Sequence, residues 1–281
     1  MAYKDLLIVL GADDAARRRI DIAAALAERF AAHLVGMYPL APPADARRFG
    51  YYDPAAFDPI YRDLQQRLAA EAEQVRAAFE HAAALRGVSA EWRAVRDFAE
   101  ADPAMHARYA DLTVLGQLDP DRPLAQALQP APETVALAAG RPVLVVPYAG
   151  HFPSVGRRVL IGWNASREAT RAVNDAMPLL AAADTVTVLV IDPHEGPRAH
   201  GEVPGADISL HLARHGVKAN VERTVGGDIS VGDALLSRAA DLAADLLVVG
   251  AYGHSRVREL LLGGATRSLL QTMTLPVLMS H

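Results

Sequence analysis

The chain has 281 residues, 51% apolar and 22% charged, with a formal net charge of −5 and a pI near 6.1. That balance suits a globular protein with room for two ordinary domains or one large one, and it gives no global attraction to nucleic acid or an anionic membrane. Cysteine is absent, which excludes disulfides, thiolate metal sites and cysteine nucleophiles and is compatible with the reducing cytoplasm expected as the location.

The opening MAYKDLLIVLGADD turns acidic too soon for a signal peptide and reads as a first strand. No uninterrupted apolar run approaches the roughly 20 residues of a membrane-spanning helix. Short β-branched runs then alternate with longer amphipathic, alanine-rich stretches, the pattern of a parallel sheet wrapped by helices. In the first half the predicted strands are LLIVL (6–10), HLVGMY (33–38), SAEWRAV (89–95), LTVLG (112–116) and PVLVV (142–146). In the second they are VLIGW (159–163), TVTVLVI (185–191), KANVERTV (218–225), LLVVG (246–250) and PVLMS (276–280).

The two series overlay. ADLTVLG matches ADLLVVG, and RPVLVVP matches LPVLMSH, with Asp111 opposite Asp245 and Pro142 opposite Pro276, both 134 apart. The first strands are 153 apart (Leu7 with Leu160), so the first half is longer by 153 − 134 = 19 residues. RGVSAEW against HGVKANV (Gly87 with Gly216) is already offset by 129, which places the extra residues between the second and third strands. There lies LAPPADARRFGYYDPAAFDPIY, expected as an ordered insertion over the surface or the other half. The loop YAGHFPSVGRR, near 149–157, separates the halves, giving domains 1–149 and 155–281.

The fold expected is α/β, two tandem doubly wound five-stranded parallel-sheet domains of Rossmann-like order 3-2-1-4-5 with right-handed crossovers. Ligands of such sheets sit outside the carboxyl ends of the strands where the order reverses, between the loops after strands one and four. In the second half those loops are 163–166 (WNAS) and 250–255 (GAYGHS).

GAYGHSRVRELLLGG sits at that place. Gly250 and Gly253 free the chain leaving the strand and let a ligand approach backbone. Gly263 and Gly264 precede ATRSLLQTM, so the N–H groups of Gly264, Ala265 and Thr266 fall at a helix start, which favours anions. The Thr266 hydroxyl can cap that helix or donate to a phosphate. His254, Arg256 and Arg258 lie in the loop, within reach of a polyphosphate tail. Turn chemistry alone accounts for the same glycines, and the spacing is neither a Walker loop nor GxGxxG. From the residues, an anion site and a pair of plain turns both remain open.

GAYGHSRVRELLLGGAT followed by LPVLMSH resembles the G-x2-G-x9-G-[S/T] signature of the universal stress protein family, matched at Gly250, Gly253 and Gly263. The repeat resembles that family's tandem arrangement over nearly the whole chain. In ATP-binding members the glycine motif holds ribose and phosphates, the loop after strand one lies along the nucleoside, and the end of strand two borders adenine. The resemblance therefore implies ATP (or ADP or AMP), with Mg as a candidate companion. The binding residues it implies are Asn164, Ala165, Ser166, Ile191, Asp192, Gly250, Gly253, His254, Arg256, Gly263, Gly264, Ala265 and Thr266. Two positions depart from the pattern. Asn164 stands where an acid is usual, and Gly264 replaces the Ser or Thr, losing a hydroxyl worth on the order of 1 kcal/mol but keeping the backbone N–H.

At the same offset the first half keeps Gly116, but Gly253 becomes Asp119, Gly263 becomes Gln129 and Gly264 becomes Pro130. Aspartates repel phosphate and prolines remove donors. After its first strand, Gly11 stands at the Asn164 position. The first half is expected to lack the site and act as a partner domain.

Other constellations point to structure. His211 and His215 share a helix face near His194, Glu195, His200 and Glu202, but HLARH lacks a zinc-protease glutamate and reads as a solvated face. Ser154, Ser166 and Ser255 lack a nucleophile elbow. Asp13 and Asp14 are expected to cap the first helix, Trp92 and Trp163 to pack, and the arginines of DDAARRRI and DARRFG to be exposed.

The function expected is a stress-response regulatory or protective protein, with at most slow ATP hydrolysis because no residue triplet offers a base and nucleophile. Rivals are a nucleotide-independent interaction module and a small-ligand enzyme using the same crevice. The closing strands PVLVV and PVLMS are expected to pair edge to edge, as final strands do between family subunits, making each chain a pseudo-dimer or supporting a homodimer.

Overall fold

The computed structural model describes residues 2–11, 13, 15–40, 54–95, 102–121, 130–192, 205–251 and 264–281. It divides into two compact units, 2–141 and 142–281. The first unit holds β1 (Asp5–Val9), α1 (Ala16–Phe30), β2 (His33–Pro39), α2 (Pro54–Leu85), β3 (Ala90–Val95), α3 (Pro103–Ala107), β4 (Leu112–Gly116) and α4 (Pro132–Ala139). Its strands are parallel in the order β3-β2-β1-β4.

The second unit holds β5 (Val143–Val146), β6 (Arg158–Gly162), α5 (Arg167–Ala181), β7 (Thr185–Ile191), α6 (Ala206–Arg214), β8 (Ala219–Thr224), α7 (Val231–Asp241), β9 (Leu246–Gly250), α8 (Gly264–Thr272) and β10 (Val277–Ser280). Strands β8-β7-β6-β9-β10 run parallel, the order 3-2-1-4-5. The division falls ahead of the 149–157 loop because β5, from PVLVV, clusters with this unit. It pairs antiparallel with β10, Leu144 opposite Leu278, so the two closing strands do meet edge to edge.

Each central strand is apolar on both faces, as helix-covered parallel strands must be. β4 is buried at all five positions and β9 at its first four. α1 turns Ile20, Ala23, Ala24 and Ala27 inward, the stripe of a 3.6-residue period.

The aspartates that opened the sequence overlay perform one task twice. Asp111 accepts from the backbone N–H of Lys4 (2.7 Å) and Asp5 (3.2 Å), while its own N–H donates to the Asp5 carbonyl (2.7 Å). Asp245 accepts from the N–H of Arg157 (2.9 Å) and Arg158 (2.8 Å) and from the Ser154 hydroxyl (2.6 Å); its N–H donates to the Arg158 carbonyl (2.9 Å). In each unit a carboxylate at the start of strand four thus clamps the start of strand one.

The proline- and aromatic-rich insertion divides differently from its sequence appearance. Residues 41–53 lie outside the described residues, but PAAFDPIY is the opening of α2, a helix of 32 residues against 9 in α6. Pro54 stands at the first helical position, where a missing N–H costs nothing. Further along, Phe79 of α2 packs on Trp92 with ring centroids 5.6 Å apart, above the bare backbone of Gly36. Trp92 is thus a packing residue.

Within β4, Thr113 is fully buried and its hydroxyl has no partner among the described residues. Thr113→Val removes an unsatisfied group at nearly constant shape, and is expected to raise stability by about 1 kcal/mol. Urea unfolding checks this; a lowered midpoint would mean that the hydroxyl is hydrogen-bonded.

Candidate functional site

β6 and β9 lie side by side, Leu160 opposite Leu247. From β6 the chain runs to α5 and on to β7 on one side, and from β9 it runs on to β10 on the other, so their carboxyl ends bound the switch point of this sheet.

The loop after β6 is rigidly built. The Trp163 N–H donates to the Leu189 carbonyl at the end of β7 (2.9 Å). The Asn164 side-chain oxygen accepts from the Ser166 N–H (3.1 Å), Ala165 takes a left-handed conformation (φ 57°), and the Ser166 hydroxyl caps α5 by accepting from the Ala169 N–H (3.1 Å). With one lone pair of the Asn164 carbonyl used inside the turn, the exposed side chain still carries two amide N–H donors and one acceptor site. Ser166 accepts the capping bond yet keeps a proton to donate.

Ile191 is half-buried at the end of β7, and Asp192 follows in a left-handed conformation (φ 46°). The Asp192 carboxylate accepts from the Gly226 N–H (3.0 Å), and its own N–H donates to the Thr224 carbonyl (3.0 Å). Asp192 therefore ties the exits of β7 and β8 together.

Gly250 ends β9 without a positive φ. A Cβ there would fall 2.5 Å from the Glu168 carbonyl carbon and 2.9 Å from the Glu168 Cβ, and closer still to the Ala169 nitrogen. The demand for glycine at this position is thus the seating of α5 on the strand end, where the sequence suggested conformational freedom and close ligand approach. Next, the Ala251 N–H donates to the Ser280 carbonyl (2.8 Å), and the His281 Nδ1 lies 2.9 Å from the Ala251 carbonyl. His281 was not singled out by the sequence; no motif marks a histidine that follows a final strand.

The chain resumes at α8, which opens at Gly264 with Ala265 next and Thr266, 8% exposed, third. The first N–H groups of a helix have no acceptor within it, and this end carries its positive pole. Gly253, His254, Arg256 and Gly263, with Arg258, lie outside the described residues. The structure therefore joins the 164–166 loop to Gly250 through α5 and sets Ile191 and Asp192 on the adjoining strand.

The first unit is built differently at the same place. Helix starts, rather than strands, give the register here: N-caps Ala15 and Ser166 are 151 apart, so Asp13 stands opposite Asn164 because 13 + 151 = 164. Both make the same turn, since the Asp13 carboxylate accepts from the Ala15 N–H (2.9 Å). The strand offset, which set Gly11 there, is corrected by this turn. Asp13 bonds the N–H of the cap residue itself, and Asp14 lies outside the described residues. Of the arginines expected on an exposed face, Arg17 is exposed and Arg18 half-buried, but Arg19 is 2% exposed and its guanidinium grips both oxygens of Asp13 (2.9 and 2.6 Å). Asp119 accepts from the Asp121 N–H (3.0 Å), and Pro132 takes the first position of α4.

The His211 and His215 rings lie 4.7 Å apart. Residues 193–204 lie outside the described residues, and among the described residues no group of three or more histidines and carboxylates is arranged to hold a metal. No described helix is long and apolar enough to cross a membrane.

Comparison with known proteins follows this geometry. Residues 156–281 match the model of the universal stress protein family. A universal stress protein of Synechocystis is 30% identical over 171 residues, 60% of this chain; the chain spans 57% of that relative's length. A universal stress protein from Archaeoglobus fulgidus shares the fold over 98% of this chain and 97% of its own, with a TM-score of 0.68 at 15% identity. A putative universal stress protein from Pseudomonas aeruginosa does so over 99% and 93%, with a TM-score of 0.54 at 18% identity. Residues 156–281, within the second unit, thus form a universal stress protein domain.

Proposed function

We propose that this protein is a regulatory or protective stress-response protein whose second unit binds an adenine nucleotide, ATP foremost, at the carboxyl edge between β6 and β9. One observation carries the reading: the segment bearing G-x2-G-x9-G begins where β9 ends at Gly250, and the residue after its third glycine opens α8, at the switch point of the sheet.

In this reading the N–H groups of Gly264, Ala265 and Thr266, with the loop glycines Gly253 and Gly263, receive the phosphates. His254 and Arg256 would serve the polyphosphate tail, with Mg as its companion charge. Asn164, Ala165 and Ser166 lie along the nucleoside. The exposed Asn164 amide, unlike an acid, can donate to a ribose or base acceptor as well as accept. Ile191 and Asp192 border the base. The sequence offers no triplet of base and nucleophile, so in this reading bound nucleotide acts as a signal and turnover is slow. The first unit serves as partner domain, the chain acts as a pseudo-dimer or homodimer, and the cytoplasm is its place.

Thermal-shift titration with ATP, ADP and AMP tests the proposal. Nucleotide at one hundred times Kd stabilises a single site by about 2.7 kcal/mol, so a dose-dependent rise in Tm is expected, with one nucleotide bound per chain. Gly263→Asp sets a carboxylate among the phosphates and is expected to abolish the rise. No shift in the native protein with any of the three nucleotides overturns the reading.

A further inference from the structure

We propose that Arg19 is an internal ligand of the first unit: its guanidinium fills a slot between the Asp13 carboxylate and the bare backbone of Gly116, and that slot is shaped for a planar cation. The inference does not depend on whether the second unit binds nucleotide.

Three observations converge. Gly116 ends β4, and a Cβ on it would lie 2.5 Å from the Arg19 Nη1, 3.0 Å from Cζ and 3.3 Å from Cδ, so the guanidinium and its stem lie directly over the missing side chain. Asp13 takes the fork with both oxygens, the bidentate match that arginine makes and lysine does not. The Asp13 side chain is only 12% exposed, so neither charge has bulk water as an alternative partner.

The second unit handles the same position without a side chain. There the first turn of α5 sits on Gly250 (116 + 134 = 250) with its backbone. The residue opposite Arg19 is Thr170 (19 + 151 = 170), whose hydroxyl donates to the Ser166 carbonyl of its own helix (2.9 Å). The exposed Asn164 side chain accepts from the Ser166 N–H, whereas its counterpart Asp13 has both oxygens committed within the chain. Arg19 thus engages from inside the loop residue whose counterpart in the sister unit is exposed. The Arg19 Nε has no partner among the described residues, so the fork to Asp13, not a full set of bonds, holds the group. Replacing the side chain leaves an acid-lined slot over a glycine, complementary to free guanidinium and hostile to phosphate.

The test uses the full chain. Arg19→Ala is expected to lower Tm by about 5 °C or more, because it removes the bidentate cation from a sheltered carboxylate. Low-millimolar guanidinium chloride should restore part of that loss in the variant, while sodium chloride and urea at equal concentration do not, and the native protein should show no gain. No guanidinium-specific recovery in the folded variant overturns the proposal. Gly116→Ala provides the second arm: it is expected to lower Tm in the native background, where its methyl meets Arg19, and to leave Tm unchanged beside Arg19→Ala. An equal fall in both backgrounds overturns it. If Arg19→Ala does not fold, Arg19→Lys replaces it. Lysine keeps the charge but clears the plane over Gly116, so the alanine penalty should shrink; an undiminished penalty is again fatal.

Discussion

Gly250→Ala is expected to destabilise the 142–281 unit by about 3 kcal/mol, the upper range for a methyl forced into packed structure. The atoms it would meet are the Glu168 carbonyl carbon, the Glu168 Cβ and the Ala169 nitrogen, none of which can swing aside as a side-chain tip can. Either β9 shortens or the first turn of α5 lifts. A lifted turn carries Ser166 with it, since the Ser166 hydroxyl holds the Ala169 N–H. Stability and nucleotide response should therefore fall together, read as a lower urea midpoint and a flattened ATP thermal shift. An unchanged midpoint would mean that the helix is not seated on the strand as described. Gly116→Ala offers the contrast, because the same methyl there meets the end of a long side chain.

Asp245→Ala carries an effect of similar size, about 3 kcal/mol, through lost bonds rather than added bulk. Three groups lose their acceptor: the N–H of Arg157, the N–H of Arg158 and the Ser154 hydroxyl. Hydrogen bonds to a charged group contribute about 1.5–3 kcal/mol each when sheltered, and partial exposure of this strand edge discounts that sum. Asp111→Ala strands the N–H groups of Lys4 and Asp5 and loses a long, exposed pairing with Arg141 (3.9 Å), and should cost less, about 1.5 kcal/mol. Chemical unfolding of the two variants gives the comparison; equal losses would show that the Ser154 bond adds nothing.

Strands were legible from sequence because β-branched runs between glycine and proline punctuation leave little choice: LTVLG, TVTVLVI and LLVVG match β4, β7 and β9 end to end. The repeated aspartates were visible as a motif, but their clamp was not, since hydrogen bonding across 87 to 107 residues has no local signature. Arg19 was misplaced for the opposite reason. An arginine run on a helix is normally solvated, and only the coincidence of Asp13 with a glycine 97 residues later (116 − 19 = 97) draws one member inside. Similarly, PAAFDPIY hides a helix start behind a proline, because Pro54 sits in the first turn, which tolerates what the interior does not. Gly250 was found for its motif while its packing role stayed hidden, since contact with Glu168 is a property of the assembled unit.

The pairing of β10 limits how copies of this protein can associate. One side of β10 is bonded to β9 and the other to β5, so its backbone has no row of donors and acceptors left to offer. A second chain cannot extend the sheet at this strand without first displacing β5. Any assembly of chains must then recruit a different surface, and the seam where strand addition would otherwise begin is sealed within the polypeptide itself.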